Sequence, residues 1–153
     1  MYLPGSIIYF TPFYFNNGKT APKNKYFIVL CQVNEHLVAA SLPTSQDYVP
    51  TYATKDHGCI DIPDGGFNCY HFSPTKAVTT DGWSFPIPTY IYANWVDTYH
   101  LNIFKQVYVE EGVDYEIIGR LTQQEFEAII QCFAFAAATK RKYKEILKNA
   151  KYS

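Results

Sequence analysis

No stretch of this 153-residue chain stays apolar for long. The longest runs, Tyr26 to Cys31 and Cys132 to Ala138, fall far short of the roughly 18 residues that a bilayer-spanning helix needs. Nothing at the start resembles a signal peptide, since Met1-Tyr2-Leu3-Pro4 leads straight into β-like sequence, so the expectation is a cytoplasmic protein with no membrane partner. The chain also lacks a phosphate-binding P-loop, a dinucleotide fingerprint, a nucleophile elbow and a zinc-protease helix. It has no internal repeat and no low-complexity segment. Charge of one sign is not in excess overall: 13 Lys and Arg stand against 14 Asp and Glu.

Along the chain that balance breaks. Residues 1–138 carry seven bases and thirteen acids, a net of −6, whereas the rest carries six bases against Glu145 alone, a net of +5. A basic end can attract nucleic acid or an acidic partner. It can equally complement the dipole of a helix C-terminus and keep a surface solvated. At 48% hydrophobic and 18% charged, the chain is too apolar to be disordered. Its length predicts one domain over 1–153.

Fourteen Tyr, eleven Phe, nine Pro and eight Gly, with β-branched runs between them, predict a mainly β fold. Ser6 to Phe10 reads as a first strand, and 16–24 reads as a polar loop. Tyr26 to Val33 and His36 to Leu42 read as a buried hairpin turning at Asn34-Glu35. His57 to Ile62 and Phe67 to Phe72 form a second hairpin around Pro63-Asp64-Gly65-Gly66. Pro86 and Pro88 make Trp83 to Tyr92 an edge strand or an extended connection. Gln106 to Val109 and Tyr115 to Ile118 are the last β-like segments, and short strands at this spacing suggest a small barrel or sandwich over 1–121. Thr122-Gln123-Gln124-Glu125 matches a capping box, which predicts a reciprocal pair of side-chain bonds. From there one amphipathic helix is expected over about 122–150, with a stripe from Phe126 to Leu147 and last turns that project from the body.

Two constellations carry chemistry. In a hairpin from Tyr26 to Leu42, the residues that enter one strand lie beside those that leave its antiparallel partner. Lys25 would then sit near Thr44 and Ser45. A cation beside hydroxyls suits a phosphodiester, because fixed positive charge offsets charge developing on phosphorus. The plainer reading is a solvated lysine and an ordinary turn. The second constellation is His57 and Cys59 mirrored by Cys69 and His71 across the Pro-Asp-Gly-Gly turn. An odd loop puts all four on one face, where they could hold a tetrahedral Zn²⁺. A two-residue Asp64-Gly65 loop puts the cysteines on opposite faces and removes the site. Without a close Cys pair, buried cysteines and no metal are the favoured outcome, and a cytoplasmic setting disfavours a Cys59 to Cys69 disulfide. Cys31 and Cys132 read as core.

Several short motifs resemble one family in the right order. Pro4-Gly5-Ser6-Ile7-Ile8 is similar to the Gly-Asp-Ile-Val opening of the MazF/PemK (CcdB-like) toxins of type II toxin–antitoxin systems. Lys25-Tyr26-Phe27-Ile28-Val29-Leu30 is similar to their Arg-Pro strand, and Leu42-Pro43-Thr44-Ser45 to their strand-end Pro-x-Thr/Ser motif. Ile118-Gly119-Arg120-Leu121-Thr122 resembles the segment that leads into their last helix. These matches cover roughly 4–45 and 115–137, around a middle section longer than the family carries. The resemblance implies an SH3-like β-barrel with an inserted hairpin and a C-terminal amphipathic α-helix. It implies a homodimeric growth inhibitor that cleaves single-stranded RNA as an endoribonuclease without metal or cofactor, held inactive by an antitoxin. In that chemistry the ribose 2′-OH attacks phosphorus. Lys25 takes the family's Arg position, and Thr44, with Ser45, the phosphate-orienting position. Lys19, Lys23, Tyr14 and Phe15 would contact the RNA strand, although core packing is the plainer reading for the two rings. Lys lacks the bidentate fork of Arg, and Tyr26 replaces a Pro. Either Lys25 serves as an electrostatic stabiliser, or activity is lost and a protein- or nucleic-acid-binding module remains.

Overall fold

An apolar run with no alternation can be a strand only if both of its faces are covered, and β2 (Lys23–Val33) is that strand. The structure, a computed structural model, describes residues 2–15, 18–42, 56–62, 64 and 67–153. β2 lies at the centre of a five-stranded antiparallel sheet, flanked by β1 (Ser6–Phe13) and β3 (His36–Ser41). Ile28 and Leu30 face one core with Ile7, Val38 and Ala40. Phe27 and Val29 face the other with Ile8, Leu37 and Ala39. The β2–β3 turn is two residues long, with Val33 opposite His36, and Asn34 takes the left-handed conformation at φ 54°. Asn tolerates that region better than other residues with a Cβ.

A second antiparallel sheet holds β4 (Gly58–Ile62), β5 (Phe67–Phe72) and β6 (Thr89–Tyr92). β6 is an edge strand, and the strand begins only after Pro86 and Pro88. A 3-10 turn, Ala93–Trp95, leads back to β7 (Val96–His100), which pairs with β3 in the main sheet. β8 (Tyr115–Arg120) forms the other edge, beside β1. Within this last motif Gly119 has a steric reason: a Cβ there would meet the Thr79 side chain at 3.2 Å. The 79–82 segment crosses it closely, with the Thr80 amide bonded to the Arg120 carbonyl at 2.9 Å.

The mainly β expectation holds, while the closed barrel is not found. Among the described residues β7 and β8 end the main sheet without pairing to one another. Helices cover the faces instead. α1 (Leu101–Val107), where the sequence suggested a strand at Gln106 to Val109, inserts Phe104 into the aromatic face. Val107 and Val109 around Tyr108 give that segment its strand-like β-branched pattern, yet both valines are exposed. On the opposite face lie α2 (Gln123–Ala134) and α3 (Arg141–Lys148).

The expected single C-terminal helix is therefore two. The chain reverses after α2, and the Thr139 hydroxyl bonds the Phe133 carbonyl left over at its end. Tyr143 and Leu147 return to the same core at 1% and 0% exposure, so the end does not project. Burying both apolar stripes against one sheet face removes more surface from water than one straight helix would. Lys140, Arg141, Lys142 and Lys148 remain exposed around α3. No helix among the described residues is long and apolar enough to cross a membrane.

The aromatic face centres on Phe10, fully buried with ring contacts to Phe13, Phe27, Phe104, Tyr108 and Tyr115. Phe10→Ala is expected to cost about 3–5 kcal/mol. Urea unfolding should show this as a lower midpoint at an unchanged slope.

Candidate functional site

The first candidate site grows from the start of β2. Phe27 pairs with Ser41, and the Leu42 amide bonds the Tyr26 carbonyl at 2.8 Å, so the end of β3 does lie beside the entrance of β2. Thr44 and Ser45 fall outside the described residues. Lys25 is opposite Phe10 and on the same face of β2 as Phe27 and Val29. It is 5% exposed, which is rare for lysine, a residue almost never buried without compensation. Two rings supply part of that compensation. The ammonium lies 6.0 Å from the Phe15 ring centre and 5.7 Å from that of Trp95. Desolvated contacts of this kind contribute about 2 kcal/mol.

The neighbours divide between core and surface. Phe15 is half-buried and packs edge-on against Phe13 at 5.2 Å. Tyr14 is half-exposed, with its backbone amide held by the Tyr108 hydroxyl at 2.8 Å. Lys19 and Lys23 are exposed. Trp95, which no local pattern singles out, comes from the 3-10 turn and reaches Lys25 only through the return of β7 to the main sheet.

The second cluster is built on Glu125. Its amide bonds the Thr122 hydroxyl at 3.2 Å, so the cap is present. The reciprocal arm of the capping box is not. The Thr122 amide bonds the Val78 carbonyl at 3.0 Å, and the Glu125 carboxylate turns away to the second sheet. There it accepts from the Tyr70 hydroxyl at 2.8 Å and from His57 Nε2, with Lys76 Nζ at 3.9 Å. The Ser73 amide donates to His57 Nδ1 at 3.0 Å, which leaves the ring hydrogen on Nε2, aimed at the carboxylate. Burial, followed by the bond to Glu125, pushes the Tyr70 hydroxyl well above the usual phenol range. Both imidazole nitrogens are committed and Glu125 is buried, so this cluster fastens the second sheet to α2.

A covalent tie stands beside it. Cys59 is disulfide-bonded to Cys132, two helical turns beyond Glu125 on α2. Cys132 is thus a buried residue with a partner, and the proposed metal set is dispersed. Ile60 pairs with Cys69 and Gly58 with His71, the even register that sends Cys59 and Cys69 to opposite faces. His57 serves Glu125. His71 donates from Nδ1 to the Asp56 carbonyl at 3.1 Å and stacks on Tyr90. No group of three metal-ligating side chains converges among the described residues. His36 and His100 face each other across β3 and β7, with Glu35 3.7 Å from His100.

Two measurements check this arrangement. Burial lifts the free thiols of Cys31 to about 11 and Cys69 to about 12. At pH 8 both should therefore resist iodoacetamide in the native protein, because the thiolate is the reactive species. Above pH 9 the unfolded chain loses thiol protons that the folded chain keeps, so this burial lowers stability as pH rises. Mass spectrometry should find two alkylated cysteines in urea and four after reduction; four without reductant would contradict the Cys59–Cys132 bond. Glu125→Gln replaces an acceptor-only group with one that presents a donor to Tyr70 and His57. It should destabilise by about 1–3 kcal/mol in non-reducing urea titrations.

Comparison with protein-family models, with curated proteins and with solved structures yields no match.

Proposed function

We propose that this chain is a metal-independent endoribonuclease of the MazF/PemK-like kind, acting on single-stranded RNA as the growth inhibitor of a toxin–antitoxin pair. The observation that carries the reading is Lys25, a nearly buried cation at the point where β3 leaves the sheet towards Thr44 and Ser45. In this reading the main sheet is an opened relative of the SH3-like barrel, with α1 covering the side that a closing strand would occupy. The protein works in the cytoplasm as a homodimer, and an antitoxin covers the same corner.

The chemistry needs little from the protein beyond placement and charge. A ribose 2′-hydroxyl gives its proton to water and its oxygen attacks the adjacent phosphorus, the bond to the 5′-oxygen breaks, that oxygen takes a proton from water, and a 2′,3′-cyclic phosphate and a 5′-hydroxyl are left. The Lys25 ammonium offsets negative charge on the phosphorane oxygens, and the Thr44 and Ser45 hydroxyls orient the phosphate. Exposed Lys19 and Lys23 hold flanking phosphates, and the exposed ring of Tyr14 meets a base.

A second reading has its own support. At 5% exposure, beneath Phe15 and Trp95, the ammonium is more enclosed than a phosphate-contacting group in an open cleft. That enclosure, together with Lys in place of Arg, favours a barrel-derived module that binds RNA or protein without cleaving.

Incubating mixed RNA with purified protein in chelator separates the two. Wild type should cleave, and Lys25→Ala and Thr44→Ala should each be slower by about 10²–10³-fold. Lys25→Met, matched in length, and thermal melts of each variant separate lost chemistry from lost folding. Equal cleavage by all variants would overturn the assignment. Intact RNA throughout would overturn the nuclease reading and leave the binding module as the alternative.

A further inference from the structure

We infer that Trp95 is a preformed stacking surface for one base of a single RNA strand at the Lys25 corner, an inference that rests on the RNA-directed part of the reading above. The chain's two tryptophans are used differently. Trp83 packs against Tyr26 and Phe85, with ring centres 5.9 and 4.8 Å away. Trp95 leaves 39% of its surface exposed.

The backbone on either side of that ring is anchored. Ala93 and Val96, on either side of it in the 3-10 turn and at the start of β7, are each 1% exposed, and β7 is registered along β3. The backbone that carries the indole therefore needs no ordering when a ligand arrives, which removes part of the cost of binding. The ring also lies over the Lys25 ammonium at 5.7 Å. The corner thus combines a partly exposed indole, a cation beneath it and, at the start of β2 and in the loop before it, the exposed Lys23 and Lys19. A nucleotide matches all three, its base stacking on the indole while its phosphates meet the cations.

The chemistry favours a single strand over a duplex, because a stacked duplex does not offer base faces to a side chain. It also favours affinity over base identity, since every base has a π-face and the indole face reads no hydrogen-bond edge. Trp95 is thereby a positioning residue, seating one base of the strand at the rim where Lys25 lies beneath the ring.

The test uses the full chain and a twelve-nucleotide 2′-O-methyl RNA, which lacks the attacking hydroxyl and is not cleaved. In Trp83→Phe, where Trp95 is the remaining tryptophan, the oligonucleotide should quench fluorescence saturably. In Trp95→Leu, labelled-oligonucleotide anisotropy should show roughly 5- to 150-fold weaker binding. Trp95→Phe, which restores a ring, should recover most of it with an unchanged melting temperature. A matched RNA duplex should bind more weakly than the single strand. Unchanged affinity in Trp95→Leu, absence of quenching, equal affinity for the duplex, or no binding by wild type would each overturn the inference. Quenching by the 2′-O-methyl strand together with no cleavage of ordinary RNA would sustain the stacking role while the nuclease reading fails. Cleavage that is indifferent to Trp95 would do the reverse.

Discussion

A central strand with apolar side chains on both faces has to be covered twice. β2 imposes that demand, since Phe27 and Val29 look one way and Ile28 and Leu30 the other, all fully buried. One cover is aromatic, with α1 laying Phe104 over Phe10 and Phe27. The other is assembled from distant sequence: Tyr70 and Phe72 of the second sheet, Phe126 and Phe133 of α2, and Tyr143 and Leu147 of α3. Among the described residues the sheet stays open, with β7 and β8 at its edges.

The second cover requires its own fastening, since a three-stranded sheet has little core of its own: Ile60, Cys69 and Tyr92 form a small separate cluster. Two ties from β4 and its approach meet α2. His57 reaches Glu125 near the start of the helix, and Cys59 reaches Cys132 two turns later. A carboxylate that is buried costs free energy unless donors surround it. Here Tyr70 and His57 supply them, and both belong to the sheet being held. Two of the four residues that looked like metal ligands, His57 and Cys59, are thus spent on attachment.

Lys25 stands where the apolar run of β2 gives way to polar sequence. Its backbone is fixed by pairing with Phe10, while its ammonium lies under Phe15 and Trp95 at the rim of the aromatic face. A cation held at the edge of an apolar core keeps a stronger field than one in bulk water, because less solvent screens it.

Much of the strand content was legible from the chain alone, for reasons of local chemistry. The β2–β3 hairpin followed from two apolar runs interrupted by Asn34-Glu35, and the start of α2 from a hydroxyl three residues before a glutamate. The sequence also picked out Lys25 by its place beside a strand end. Tertiary structure alone decided that Glu125 would abandon the capping box for Tyr70 and His57, that Cys132 would pair with Cys59, and that Trp95 would stand over Lys25. It also decided that the last apolar stripe would fold back as α3. Patterns within a few residues report which backbone a segment prefers, but partners 68 or 73 positions apart are chosen by the packing of whole elements on the two faces of one sheet.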